Sequence, residues 1–341
     1  MSMKKILVAL SGGVDSAGAA LLLKAQGYEV GGATMLLRDG GEAEAESARE
    51  AAKQLGIDFY LFDLRQEFRE KVIEPFRRVY AAGGTPNPCV VCNKTMKFGI
   101  FLAKALSLGY DGIATGHYAR LRRENGRSLL YVAQNRAKDQ TYMLCFLSQA
   151  QLKYCLFPLG EVEDKEQLRQ LAMEAGLSLS RKKDSQDICF VPDGDYMAYL
   201  TAQGLIPQSG NFIRPDGTVL APHKGMEAYT VGQRRGLGLA FGERAYVLGK
   251  RGTDVILGAP EGLFHEEVAV GEVNYLPFDS LDEALRVEAK LRYTPRMASA
   301  LLIPQEDGCI LRFDEPQRAP TPGQTAAFYL GDQLLGGGTI R

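Results

Sequence analysis

The chain holds 341 residues, more than one hydrophobic core usually organises, so two or three domains are expected. With 45% apolar residues and a net charge of -1, it reads as globular and lacks an overall basic signature for nucleic acid. No apolar run approaches the roughly 20 residues needed to span a bilayer, so no membrane-spanning helix is expected.

The opening MSMKKILVAL has an apolar stretch too short for an export signal and reads as a first buried strand. A reducing, cytoplasmic setting is therefore expected, in which the six cysteines are not structural disulfides. A helix follows in SAGAALLLKAQG, then the strand YEVGGATML, the amphipathic helix EAEAESAREAAKQLG and the strand DFYLFDL. Helices are expected around Gln66–Tyr80 and Asn93–Gly109, then the strand YDGIATGHY. Short apolar runs alternating with helical patterns predict an α/β, doubly wound parallel sheet, which binds ligands at the carboxyl ends of its strands. After about Pro192 comes one more helical piece, GDYMAYLTAQG, and then Gly and Pro punctuate short strands. From about Val268 the pattern is strand and turn only, which predicts a small C-terminal all-β barrel. The expected division is 1–192 for the α/β domain, 193–267 for a central domain and 268–341 for the barrel. Basic residues cluster at Ala119–Arg127, Ser180–Ser185 and Gly232–Gly236. Each cluster reads equally as a phosphate-binding stripe or as solvated surface.

ILVALSGGVDS is a strand, a glycine turn and a helix start. Ser11, Gly12 and Gly13 let the backbone approach a ligand, and the N–H groups of Val14, Asp15 and Ser16 face an anion with the helix dipole behind them. Neither the Walker A pattern nor Gly-x-Gly-x-x-Gly is present. A purely structural turn is the alternative. Farther on, TPNPCVVCNK sets Cys89 and Cys92 three apart. That spacing suits half a zinc site, a redox pair, cluster ligands or a catalytic thiol.

Ser-Gly-Gly-Val-Asp-Ser after the first strand resembles the signature of the PP-loop ATP pyrophosphatases, in which the loop holds the pyrophosphate half of ATP. The resemblance implies ATP binding by Ala9, Leu10, Ser11, Gly12, Gly13, Val14, Asp15 and Ser16, with Asp15 reaching phosphate through Mg²⁺. ATGHYAR also resembles the class and implies Gly116 near the nucleotide and His117 near the substrate. Seven blocks in one order, TPNPCVVCNKTMKF, ATGHYAR, AKDQTYML, KKDSQDICFV, HKGMEAYTVGQRRGLG, KLRYTP and TPGQTAAFY, resemble the tRNA-specific 2-thiouridylases from Lys4 to the C-terminus.

That resemblance implies ATP-dependent adenylation of the C2 oxygen of the wobble uridine in a tRNA anticodon, then sulfur transfer. It implies that Cys189 carries a persulfide received from a sulfur-relay donor protein. Cys92 then releases that sulfur, as hydrosulfide or by ending in a disulfide with Cys189. The residue types support Cys92 as a low-pKa thiol, placed at an expected helix start with Lys94 and Lys97 beyond it. By the same resemblance Met35 lies near adenine, and Asn87, Pro88 and position 89 meet the target base. Lys138, Asp139 and Gln140, together with Arg292, Tyr293 and Gln324, are then expected to contact tRNA. The chain departs from the family where many members carry Asp in place of Cys89, which leaves the role of Cys89 open. Cys89, Cys92 and Cys189 would also suit three ligands of a 4Fe–4S cluster with one iron free to carry sulfide. The segment after Met35 is shorter than usual. The rival enzyme reading is an ATP-adenylating amide or amidine synthetase acting on a small molecule. The rival non-enzyme reading is a zinc-stabilised RNA-binding module.

Overall fold

The computed structural model describes residues 3–177, 188–238 and 244–341. The first apolar run forms β1 (Lys5–Ala9), whose Ile6, Leu7 and Val8 are wholly buried. β2 (Glu29–Leu36), β3 (Phe59–Asp63) and β4 (Gly112–Ala114) join it in parallel, with order β3-β2-β1-β4. The helices α1 (Val14–Ala25) and α2 (Glu42–Leu55) follow β1 and β2. The alanine face of α2 (Ala45, Ala48, Ala51, Ala52) packs inward, with its glutamates in the first turn, where the helix dipole favours them.

Two longer helical runs follow β3, over 65–81 and 88–107, each with a π-helical section (Arg69–Ile73 and Asn93–Phe101). The second run starts earlier than the sequence suggested. Asn87 caps it by accepting from the Val90 N–H at 3.4 Å, and Pro88 occupies its first turn. Cys89 and Cys92 therefore lie inside the helix.

A hairpin follows β4. Its strands β5 (Arg120–Glu124) and β6 (Arg127–Tyr131) turn at Asn125 and Gly126, both at positive φ. The short strand β7 (Cys155–Leu156) then closes the parallel sheet beside β4. The middle of the chain holds a four-stranded sheet of β8 (Gly210–Ile213), β9 (Val219–His223), β10 (Tyr246–Arg251) and β11 (Asp254–Gly258), in the order β10-β11-β8-β9.

The C-terminal part is an antiparallel barrel. It comprises β12 (Phe264–Tyr275), β13 (Leu285–Lys290), β14 (Ala298–Gln305), β15 (Gly308–Arg318), β16 (Thr325–Leu330) and β17 (Gln333–Ile340). The order β12-β15-β14-β13-β16-β17 closes through β17 back to β12. Strand texture thus begins at Phe264, a little before the expected Val268. The β5–β6 hairpin leaves the first domain and extends the barrel sheet, with Leu130 opposite Leu334.

Buried polar contacts lock barrel and α/β domain together. Lys290 Nζ pairs with Asp139 at 3.6 Å, with side chains 5% and 3% exposed. The Asp139 carboxylate also accepts from the Ala133 N–H and the Thr141 hydroxyl. Tyr142 donates to the Thr325 carbonyl at 2.9 Å. Among the described residues no helix is long and apolar enough to cross a membrane.

Candidate active site

The site lies at the carboxyl ends of β1, β2 and β4. The turn after β1 is shaped by Gly12, whose φ is +73°; an added Cβ would come within 2.7 Å of Ser47 Cβ on α2. The Ser16 hydroxyl accepts from the Ser11 N–H at 3.1 Å and donates to the Gly13 carbonyl at 3.0 Å. Gly13 is the N-cap of α1 and supplies no side-chain cap, so the first-turn N–H groups remain available to an anion. Gly116 presses on this turn from β4's end: an added Cβ would come within 2.9 Å of the Asp15 carbonyl carbon and the Ser16 nitrogen. Asp15 Oδ1 accepts from the Tyr118 hydroxyl at 3.0 Å. The loop, Gly116 and Asp15 thus converge at the end of β4. Tyr118 was not singled out beforehand, and nothing but its place beside His117 in ATGHYAR would have drawn attention to it.

Met35 ends β2 beside Phe62 of β3 and packs on the core, half-buried. His117 is buried against Phe98 and Phe157, with Nδ1 2.8 Å from Thr115 Oγ1. Burial first, and the charge of Lys97 second, hold its pKa well below the ordinary imidazole value. His117 is therefore neutral at physiological pH, suited to hydrogen bonding and not to carrying charge.

Cys89, Cys92 and Cys189 act on one another electrostatically. All six in the chain are free thiols, with Cys89 and Cys189 exposed and Cys92 half-buried. Cys189 raises the pKa of both Cys89 and Cys92 through its charge, which places the three thiols in electrostatic range of one another. The expected low pKa of Cys92 is overturned. Burial pushes it up to about 11, against a smaller downward pull from Lys97. Cys92 ends the first turns of a helix that starts at Pro88, so no helix N-terminus faces it. Cys89 and Cys189 are also raised, chiefly by desolvation.

Lys97 is the shared cation: it lowers the pKa of all three thiols and acts on His117. The sequence marked it only as a neighbour of Cys92. Its position one turn beyond Cys92 on the helix is the signal that would have found it. Arg38, paired with Glu44 at 2.9 Å, also pulls Cys189 down, and the other Glu44 oxygen is buried with no partner among the described residues. The main-chain carbonyl of Glu44 sits 3.3 Å from where a Gly12 Cβ would be, so Cys189 and the phosphate turn share a border. The short segment after Met35 supplies this charged pair.

Among the described residues no three Cys, His, Asp or Glu groups gather closely enough to hold an ion.

Models of three domain families match in succession: a tRNA methyl transferase HUP domain over residues 4–193, a tRNA methyl transferase PRC-barrel domain over 199–257 and an aminomethyltransferase beta-barrel domain over 265–340. The tRNA-specific 2-thiouridylase MnmA of Clostridium botulinum (strain Alaska E43 / Type E3) is 45% identical over 356 residues, covering 100% of this chain and 98% of its own. MnmA 1 of Clostridium tetani is 46% identical over 350 residues, covering 99% and 96%. The chain belongs to the tRNA-specific 2-thiouridylase family.

For a 2-thiouridylase chain, the positions expected to contact tRNA fall into two sets. Arg292 and Tyr293 are exposed on the barrel, and Lys138 is half-buried. Tyr293 also donates to the Asp139 carbonyl at 3.1 Å, and the other positions make internal contacts as well. Asp139 is turned inward to Lys290. The Gln140 side chain accepts from the Tyr118 N–H at 3.0 Å. Gln324 Nε2 donates to the Thr85 and Pro86 carbonyls at 2.9 and 3.1 Å. Asn87 faces Thr325 of the barrel at 3.5 Å and caps its own helix. These residues shape the surface around the site from beneath. The Ser180–Ser185 cluster and the start of KKDSQDICFV, residues 182–187, lie outside the described residues.

Proposed function

We propose that this chain is an ATP-dependent tRNA-uridine 2-sulfurtransferase that adenylates the C2 oxygen of a wobble uridine and replaces it with sulfur. What supports this reading is that Cys92, Cys189 and Lys97 act on one another electrostatically, in a chain that also carries an uncapped phosphate turn. A small-molecule amide synthetase would use the turn but has no use for the thiols.

The N–H groups of Val14 to Ser16 and the Ser11 and Ser16 hydroxyls cradle the pyrophosphate of ATP. Asp15 supplies a carboxylate there, which suits Mg²⁺, an ion that takes one or two carboxylates plus phosphate oxygens. When bound, the ion supplies charge neutralisation of the phosphates. Attack of the uridine C2 oxygen on the α-phosphorus expels pyrophosphate and leaves AMP as a good leaving group. The outer sulfur of a Cys189 persulfide then bonds to C2, and the C2–O bond to AMP breaks. Cys92, as thiolate, attacks the inner sulfur of Cys189. The S–S bond breaks, C2 keeps its sulfur, and Cys92 and Cys189 are left as a disulfide that an external thiol must reduce. Lys97 stabilises each sulfur anion in turn. His117 offers a neutral hydrogen bond to the base, which an anticodon loop releases from its stack more cheaply than a duplex would. A persulfide-donor protein loads Cys189, whose exposure admits it.

The test uses the whole chain with a wobble-uridine tRNA transcript. Asp15→Ala is expected to abolish tRNA-dependent AMP release while leaving Cys189 able to take persulfide from a donor. Cys189→Ser is expected to release pyrophosphate on adenylation of the tRNA and yield no 2-thiouridine. Thiolation by the Cys189→Ser protein at the wild-type rate would contradict the reading.

A further inference from the structure

We propose that the Gly232–Gly236 turn of the middle domain and Arg318 of the barrel form one basic track with Arg292, and that it carries tRNA phosphates toward the cysteine site. This rests on the tRNA-thiolating reading above. It goes beyond that reading by giving the middle domain a part in binding RNA.

The turn is a built structure. The Gly232 N–H donates to the Val247 carbonyl at 2.8 Å, and the Val247 N–H returns to Gln233 at 2.9 Å. The Gln233 side chain accepts from the Thr230 N–H and donates to the Arg235 carbonyl, each at 3.0 Å. Held this way, Arg234 and Arg235 project as exposed side chains. The turn sits against the barrel: a Cβ on Gly232 would lie 3.0 Å from Ala319 Cβ and 3.8 Å from Arg318 Nη1. Arg318 is exposed, its guanidinium over the Tyr246 ring at 5.5 Å, and its carbonyl accepts from Arg292 at 2.6 Å. Arg318 thus lies beside both the turn that carries Arg234 and Arg235 and Arg292 of the barrel.

Charge bookkeeping separates these arginines from their neighbours. Arg120 and Arg136 pair with Asp332, Arg127 with Asp279, Arg286 with Asp314 and Arg312 with Glu267. Among the described residues, Arg234, Arg235, Arg292 and Arg318 have no carboxylate partner. An unneutralised row of guanidinium groups suits phosphate oxygens, which they bind in bidentate fashion. The row also leads to the site. Thr230, just before the turn, lies 3.5 Å from Thr85 through their hydroxyls, and the Thr85 N–H donates to the barrel's Pro322 carbonyl at 2.8 Å. Thr85 opens the segment that runs into Asn87 and Cys89.

The experiment measures affinity for a full-length wobble-uridine tRNA transcript against salt concentration. Each phosphate contact contributes about 0.7 to 0.9 to the slope of log K on log salt. Arg234→Ala/Arg235→Ala is expected to weaken binding and make the slope shallower by roughly 1.5, and Arg318→Ala by roughly 0.8. Arg234→Lys/Arg235→Lys should keep most of the slope, which a merely structural role would not predict. Arg312→Ala, whose arginine is already paired, should leave the slope unchanged. Wild-type slope in the double alanine variant, with an intact thermal transition, overturns the proposal. The same holds if that variant binds tRNA normally but loads persulfide from the donor protein poorly, since the surface would then serve a protein. Failure of the unaltered chain to bind tRNA at all would instead contradict the thiolation reading itself.

Discussion

Burial holds the Cys92 thiol at about 11, so at neutral pH the resting side chain is protonated and must lose its proton before it attacks sulfur. In a Cys89→Ser/Cys189→Ser background, the alkylation rate of Cys92 by iodoacetamide is expected to climb with pH to near 11. Lys97→Met, which removes a charge that favours the thiolate, should move the midpoint higher and slow the reaction at pH 8. A plateau already reached at pH 8 would contradict this. Lys250 gives a second residue-scale prediction. Its ammonium is buried without a hydrogen-bond partner among the described residues, and desolvation lowers its pKa to about 8, against a small upward pull from Glu227. Because the folded pKa lies below the unfolded value of about 10.4, the unfolded chain binds more protons between those limits, and stability gains with pH across that window. Lys250→Met should therefore be more stable than wild type at pH 7, with the difference shrinking from pH 8 to pH 10 in urea titrations. An unchanging difference would assign the effect to packing alone.

At the level of elements, the phosphate turn depends on the left-handed backbone at Gly12 and on its contact with Ser47. Gly12→Ala costs roughly 1–2 kcal/mol in backbone conformation alone and must also displace α2. Tenfold or greater loss of tRNA-dependent AMP release is the expected outcome, measured beside unchanged persulfide loading of Cys189. The turn was legible because strand, glycines and helix follow one another within a few residues, and the parallel strands were legible because burial on both faces leaves continuous apolar runs. The start of the helix at 88 was written in Asn87-Pro88, a cap followed by a first-turn proline, but the pair reads equally as a loop. The hairpin was written in Asn125-Gly126, yet the arginines around it read first as a surface cluster. The π sections have no local signature, because their hydrogen bonding is set by what the helix packs against.

Across the whole molecule, the site depends on contacts that no local pattern discloses. The electrostatic coupling of Cys189, Cys92 and Lys97 joins distant segments, and only the family resemblance paired those cysteines in advance. Asp139 shows the opposite limit: its motif pointed to tRNA, while its burial against Lys290 makes it a tie between domains. Lys290→Met leaves that carboxylate buried and unpaired and is expected to cost about 3–5 kcal/mol, read as a lower urea midpoint. Asp139→Asn/Lys290→Met should recover part of the loss, since no unpaired charge remains. The central claim is that sulfur passes from Cys189 to the base with help from Cys92 and without a metal cluster. The most direct test is 2-thiouridine formation by rigorously metal-stripped protein given ATP, Mg²⁺, a persulfide donor and a wobble-uridine tRNA, beside an anaerobically iron–sulfur-reconstituted sample. The account predicts full thiolation by the metal-stripped protein; thiolation by the reconstituted sample alone would contradict it.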